Sequence, residues 1–215
     1  MTGRCSLTLL ILSGLVVSDC ATGAELVIRD LQADVLLPPT KYSFTLDTPG
    51  GDQTGSDGFS SGSALCLGGR YSLSRSGDAV GLVCGVDLEC AGYTSSDTNL
   101  LDLGGRLSLG VGYAITDAWA ATLMAGYAYG QGRFTADASN GAPELNVRGP
   151  YHGEDLRLDV QCHVSRSFAI DVGGGYWRDT HRLSGDSSTL ELERTGAFVG
   201  LGFIWRLQSS PVRLE

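Results

Sequence analysis

The chain has 215 residues, a formal net charge of −9 and 31 glycines, a glycine share about twice the usual one, yet its only lysine is Lys41. This negative charge excludes the basic surface on which nucleic-acid-binding proteins depend. The hydrophobic content of 42% is too high for a disordered chain, the glycines lack the three-residue period of collagen, and the length allows one domain with a substantial core.

The first segment of the chain has the pattern of an export signal. A basic residue precedes the apolar run Leu7–Val17, and small residues follow it. The run is too short to cross a bilayer as a helix, which takes about 20 residues. We therefore predict that residues 1–24 are a secretory signal peptide, cleaved after Gly23 or Ala24. Cys20 allows the alternative of a lipoprotein, which the acidic residue directly before it disfavours.

From residue 41 onward, apolar side chains recur with a period of two residues. In the segment Leu101–Tyr113 the odd positions are apolar apart from Gly105, whereas the even positions hold Asp, Gly, Arg or Ser. A strand places all these leucines on one face, and a helix would scatter them. The eight alternating segments are 41–47, 65–74, 80–89, 101–113, 119–129, 155–164, 168–177 and 197–207.

One irregularity precedes the last segment. Leu190 and Leu192 occupy even positions, whereas the apolar residues from Ala197 onward occupy odd ones. We predict that the apolar face switches near Arg194–Gly196, at a β-bulge.

The connections between the segments alternate in length, which indicates antiparallel neighbours with two different rims. An even number of such strands can close without leaving an exposed edge. The fold class predicted is all-β, a transmembrane up-and-down antiparallel β-barrel of eight strands. The short connections are 74–78, 115–118 and 165–167; the longer ones are 48–57, 137–153 and 185–189, and 93–99 is intermediate.

Three features predict that the apolar face points outward to lipid. The polar face carries small residues with a few arginines and carboxylates, which suit a cramped interior better than a water-facing surface. The segments are long enough to cross a bilayer at a tilt, for which about 9–11 residues suffice. Aromatic residues near the strand ends resemble interfacial girdles. These aromatic residues are Tyr93, Tyr113, Trp119, Tyr129, Phe168, Tyr176, Phe203 and Trp205.

Residues 41–207 resemble the small eight-stranded outer-membrane proteins of Gram-negative bacteria, of the outer membrane protein A transmembrane-domain and outer membrane protein X type. The resemblance rests on the strand pattern and on turns such as Gly112–Trp119. It implies an outer-membrane location, contact with outer-membrane lipid, and help from periplasmic chaperones and the barrel assembly machinery. Such proteins often end on an aromatic residue; Phe203–Leu207 is similar, although eight residues follow it.

Ions of both signs are predicted to share the narrow interior and to pair there, because an unpaired buried charge costs several kcal/mol. An eight-stranded barrel is just wide enough for side chains to fill it. We therefore expect a polar plug, with a narrow porin-like channel for small solutes or ions as the alternative. The predicted lumen residues are Arg70, Asp87, Glu89, Asp102, Arg106, Arg157, Asp159 and Asp171.

No catalytic, cofactor or metal site emerges from the sequence, so we predict that the protein is not an enzyme. His163 and Ser165 superficially resemble residues of barrel lipid A deacylases, but the rest of that motif is missing. Omptin-like proteases need Asp and His at the outer rim, toward which only His152, His181, Asp155 and Asp179 lie. The cysteines of the exported chain, Cys66, Cys84, Cys90 and Cys162, form no C-x-x-C pair and are predicted to be free thiols.

The domain organisation expected is a signal peptide over 1–24, a periplasmic segment over 25–40, the barrel over 41–207 and a tail over 208–215. The predicted function is an outer-membrane barrel with a plugged lumen and a role in envelope integrity or surface contact, as a monomer without nucleic-acid partners. Besides the channel, the sequence leaves open a secreted soluble barrel that binds an apolar ligand.

Overall fold

The computed structural model describes residues 24–73, 79–137, 144–165, 167–185 and 188–206. These residues form nine β-strands, and none of them belongs to a helix that could cross a membrane. The strands are β1 (Ala24–Asp47), β2 (Gln53–Phe59), β3 (Ser61–Leu73), β4 (Val80–Thr94), β5 (Thr98–Ala114), β6 (Trp119–Ala136), β7 (Leu145–His163), β8 (Phe168–Gly185) and β9 (Ser188–Arg206).

All strand pairs are antiparallel, and from β3 to β9 each strand pairs with the next one in sequence. Strand β9 also pairs with β1, between Val27 and Asp47. On its other edge β1 pairs with both β2 and β3, which Ser60 alone separates. Eight strands therefore follow one another around a ring, with β2 continuing β3 at one end. The predicted all-β, antiparallel up-and-down fold is confirmed.

The first strand begins well before the predicted start of the barrel at residue 41. Residues 25–40 are not a separate segment, because Ala24–Val35 pairs with β3 and Val27–Leu37 with β9. Register shifts after Arg29 and after Leu37 interrupt the two-residue period there, which is why the pattern alone did not reveal a strand. The predicted signal peptide (apart from Ala24) and the C-terminal tail lie outside the described residues.

Two of the predicted long connections, 48–57 and 137–153, are wrong over about half of their length. Strand β2 occupies 53–59, and β7 begins at Leu145, so much of 48–57 and 137–153 is paired backbone. The outward-facing residues of these segments are mostly polar, so the segments lack the alternation of apolar and polar residues that predicted the other strands. The strands consequently extend beyond the apolar part of the wall.

The apolar side chains of β9 do change from the inner to the outer face, as predicted, but the predicted β-bulge in β9 is wrong. The register between β8 and β9 runs without interruption from Gly185–Ser188 to Phe168–Trp205. Leu190 and Leu192 are simply buried inside the ring, with exposures of 2% and 1%. The irregularity lies on the neighbouring strand β1, whose pairing with β9 shifts register between Leu37 and Lys41.

The interior has an apolar layer near the loop end, which the sequence analysis did not predict. At the ends of β1 and β9 that lie near the longer connections, the apolar side chains point into this layer. Tyr42, for example, is only 5% exposed. Elsewhere most of the large apolar residues of the strands face outward, although Val83, Met124 and Ile204 are buried. The buried members of the layer include Tyr42, Phe59, Leu100, Phe134, Val147, Leu183, Leu190 and Leu192.

Candidate functional site

Beneath the apolar layer, charged side chains fill the ring. The structure places all eight predicted lumen residues there: seven are at most 9% exposed, and the side chain of Glu89 is 11% exposed. They belong to three groups at successive heights. The same groups contain four residues that the sequence analysis did not assign to the lumen network: Asp155, Asp179, His181 and Arg194.

The group nearest the short turns crosses the ring. Arg70 on β3 donates to Asp159 on β7, although these strands stand on opposite sides of the eight-strand ring. Arg157 donates to the other oxygen of the same carboxylate, and Asp171 is fully buried on β8. One carboxylate thus holds two guanidinium groups and ties two distant walls together.

The middle group is centred on Arg106. Its guanidinium contacts Glu89 on β4, and its Nε lies 3.3 Å from Asp155 Oδ2 on β7. The Nη2 atom of Arg106 lies 3.7 Å from the sulfur of the buried Cys66. Asp87, the register partner of Arg106 and 4% exposed, is the third predicted lumen residue of this group.

The third group is centred on Arg194, which is completely buried. Its guanidinium donates to Asp102 at 2.7 Å and to both oxygens of Asp179 at 2.6 and 2.8 Å. His181 lies between the two carboxylates, with Nε2 at 2.9 Å from Asp102 and Nδ1 at 3.4 Å from Asp179. The ring of Tyr151 stacks on His181 at a centroid distance of 5.1 Å. Position parity contained a signal for β8, since Asp179 and His181 share odd positions with Asp171.

One predicted interfacial aromatic residue is wrong. Tyr93 is only 6% exposed, and its ring lies inside, 3.7 Å from the guanidinium carbon of Arg194. Its odd position, shared with Asp87 and Glu89, places it on the lumen face of β4. The other seven lie on the outer wall, where Phe168 packs against Trp205 at 5.0 Å. Those seven are Tyr113, Trp119, Tyr129, Phe168, Tyr176, Phe203 and Trp205.

The space that remains between the middle and third groups is small. A cavity bordered by Arg106, Tyr151 and Trp177 has a volume of about 40 Å³. This volume holds one or a few water molecules, for which the hydroxyl of Tyr151 and the indole nitrogen of Trp177 offer polar partners.

The histidines considered for catalysis occupy different places. His163 lies at a turn, with Nδ1 3.3 Å from the carbonyl oxygen of Asp117. His152 stacks on Tyr127 on the outer wall at 6.4 Å. His181 is fully buried between the apolar layer and the middle group. Within the described part of the chain, no group of three His, Cys, Asp or Glu residues is placed to hold a metal ion.

None of the four cysteines within the described ranges forms a disulfide, as predicted. Cys66 is buried, Cys90 is exposed, and Cys84 and Cys162 are intermediate. They behave as small apolar residues of the wall and the interior.

Substituting Gly173 by alanine is expected to lower the free energy of unfolding by about 1–3 kcal/mol. A β-carbon at Gly173 would overlap the Asp159 carboxylate, which would have to leave its two arginine partners. Denaturant unfolding of the refolded barrel measures the effect. Gly92→Ala is the matched control, since nothing lies within 4 Å of the added carbon there. Equal stability of the two variants would contradict the packing described here.

No family model and no curated protein sequence matches the chain, whereas several solved structures do. The outer membrane protein OprG from Pseudomonas aeruginosa is similar at a TM-score of 0.53 and 14% identity, over 87% of this chain and 98% of OprG.

Two further solved structures are more distant. Neisserial surface protein A has a TM-score of 0.42 at 14% identity, over 86% of this chain and 99% of its own. The attachment invasion locus protein Ail of Yersinia pestis has a TM-score of 0.35 at 11% identity, over 80% of this chain and 99% of its own. Together with the ring of strands and its outward apolar face, the match to OprG shows that the chain has the fold of the small outer-membrane β-barrel proteins.

Proposed function

We propose that the protein is a non-enzymatic outer-membrane β-barrel with a plugged lumen, which serves envelope integrity or surface contact. The observation that carries this proposal is that apolar side chains cover the outside of the barrel and charged side chains fill its inside, the reverse of a water-soluble protein. On the outer wall and its short turns, 26 large apolar side chains are between 38% and 67% exposed, while charged side chains are buried within. Water-soluble proteins rarely expose a continuous apolar patch of more than a few hundred Å².

The height of the apolar wall matches a bilayer. On β5 it extends from Leu101 to Tyr113, which are 53% and 51% exposed. Twelve residues of strand rise about 40 Å, or roughly 30 Å along the axis of a tilted barrel, and the hydrocarbon core of a bilayer is about 30 Å thick. Beyond Tyr176 on β8 the outer wall becomes ionic, with the exposed pair Arg178–Glu193 at 2.6 Å.

The ionic groups support a plug over an open channel. Arg70 and Asp159 join opposite walls, and Arg106 bridges β4 to β7, so an ion would have to separate buried pairs to pass. The apolar layer adds a second barrier nearer the loops. The burial of His181 and Asp179 likewise supports a role without catalysis, because both side chains are enclosed and contact Asp102 and Arg194.

The arrangement of the chain ends supports an orientation. The first and last described strand ends, Ala24 and Arg206, lie at the rim of the short turns, which we assign to the periplasm. The opposite rim carries connections such as 48–52 and 95–97, which would face the cell surface. During biogenesis, periplasmic chaperones and the barrel assembly machinery are the partners proposed.

Cellular fractionation combined with surface proteolysis tests this proposal. We expect the full-length protein to remain in the membrane after a carbonate wash and to be cleaved from outside only in the surface connections. A protein that is monodisperse in buffer without detergent, with apolar molecules bound, would instead be the soluble barrel. Single-channel recording in planar bilayers separates the plug from the channel, since conductance steps would contradict a plug.

A further inference from the structure

Two arginines face each other on the outer wall, near the rim of the surface connections. Arg133 on β6 and Arg148 on β7 are directly opposite in the antiparallel register, and both are exposed. The β-carbons of such residues lie about 4.5–5.5 Å apart, so two like charges here destabilise the sheet. An anion bound between the two guanidinium groups would remove this repulsion.

Carboxylates do not compensate this pair within the part of the chain that the structure describes. Arg133 Nε donates to the neutral amide oxygen of Asn146 at 3.1 Å, and neither arginine lies at ion-pair distance from an acidic side chain there. Another arginine of the same wall differs in this respect, because Arg182 pairs with Glu191 at 2.6 Å. Among the exposed arginines of the described residues, Arg178 and Arg182 have an acidic partner, whereas Arg133 and Arg148 have none.

The height of the pair corresponds to the headgroup region of a bilayer. Arg133 is the register partner of Leu101, where the exposed apolar row of β5 ends, and lies four residues beyond the exposed Tyr129. Four residues of strand rise about 13 Å, or roughly 10 Å along the barrel axis. Aromatic rings of such a belt sit at the level of the lipid headgroups, so the pair lies on the outer, water-facing side of the headgroup region.

A groove of about 640 Å³ adjoins Arg133 on the same wall. Its lining includes Asn99 and Thr135, whose amide and hydroxyl groups can donate to phosphate or sugar oxygens, while Thr94 donates to Asn99 Oδ1 at 2.8 Å. Leu101 belongs to the same lining, so the groove continues into the apolar wall.

We propose that Arg133 and Arg148 bind the phosphate of a phosphorylated glycolipid of the outer leaflet. The guanidinium groups take the phosphate, the groove takes the adjoining sugar, and the acyl chains lie on the leucines of the wall. A soluble phosphate would gain none of the apolar contacts. The inference rests on the proposed membrane location of the protein.

The test is the affinity of the purified, refolded full-length protein for bisphosphorylated lipid A in detergent micelles that contain EDTA, which removes bridging cations. The variant R133Q/R148Q is expected to bind roughly 10- to 100-fold more weakly, because two charge-assisted contacts are lost. The control K41Q/R182Q removes two exposed cations elsewhere on the barrel and is expected to bind like the wild type. Circular dichroism confirms that each variant is folded.

Three results would overturn the assignment. These are unchanged affinity in R133Q/R148Q, an equal loss in K41Q/R182Q, and equal binding of the same glycolipid after its phosphates are removed. Displacement of the lipid by millimolar sodium phosphate would assign the site to a soluble anion instead. Fractionation of the wild-type protein is a separate measurement: a barrel that stays in the membrane but fails these lipid tests refutes this inference and leaves the proposed function standing.

Discussion

Replacing Arg194 by methionine is expected to lower the free energy of unfolding by about 3–5 kcal/mol, since removing one partner of a buried ion group leaves the others uncompensated. Arg194 is completely buried and donates to Asp102 and Asp179. Its guanidinium also stacks over Tyr93 and Trp177, at 3.7 and 5.0 Å from their ring centroids. Two carboxylates would then share a closed interior with His181 alone.

Urea unfolding of the barrel in lipid vesicles, followed by tryptophan fluorescence, measures this loss. Arg182→Met is the matched control, because its pair with Glu191 is exposed on both sides and should contribute at most about 1 kcal/mol. The triple variant R194M/D102N/D179N removes the unpaired charges and should recover much of the stability. If R194M and R182M lose the same stability, the buried group does not hold the interior together.

Replacing Leu107 by arginine is expected to destabilise the inserted barrel by about 2–4 kcal/mol, which is typical of a cation on the lipid face at mid-membrane. Leu107 is 61% exposed and lies midway between Leu101 and Tyr113 on the outward row of β5. In a water-soluble barrel the same substitution at an exposed site would change stability by no more than about 0.5 kcal/mol. The variant therefore distinguishes the two environments directly.

Folding into lipid vesicles, measured by the folded fraction at increasing urea, reports the effect. Ser56→Arg is the matched control, as it adds the same charge to an exposed position of β2, a strand that carries none of the large exposed apolar side chains. We expect this control to fold like the wild type. Wild-type behaviour of L107R would contradict the proposed membrane location.

The alternation of side chains predicted much of the wall and of the site. Within β5, the even positions place Asp102 and Arg106 inside and the odd positions place Leu107 outside, because successive side chains of a strand point to opposite faces. The same rule, applied strictly to β4, would have placed Tyr93 inside. Its aromatic ring near a strand end is typical of an interfacial girdle, but its position in the two-residue period decides the face.

The remainder depended on pairing between distant strands. The first half of β1 has no regular period, since bulges interrupt it, and only its pairing with β3 and β9 identifies it as a strand. The pattern of Leu190 and Leu192 is typical of side chains that face lipid. These residues lie nearer the loops than the apolar part of the outer wall, and they point inward into the buried apolar layer. Which ions pair, such as Arg70 with Asp159, is set by their height on opposite walls.

The sequence by itself determined the fold class and, along most of the strands, which residues face inward, because both follow from a two-residue period within each strand. Only the tertiary structure decided the strand register, the three ion groups and the apolar layer near the loops. Register fixes the height of each residue in the ring, and that height depends on bulges and hydrogen-bonded partners many residues away. The composition follows from this arrangement. Glycines are needed where the backbone approaches a charged side chain of the interior, as at Gly173, and lysines are few because little of the strand surface faces water.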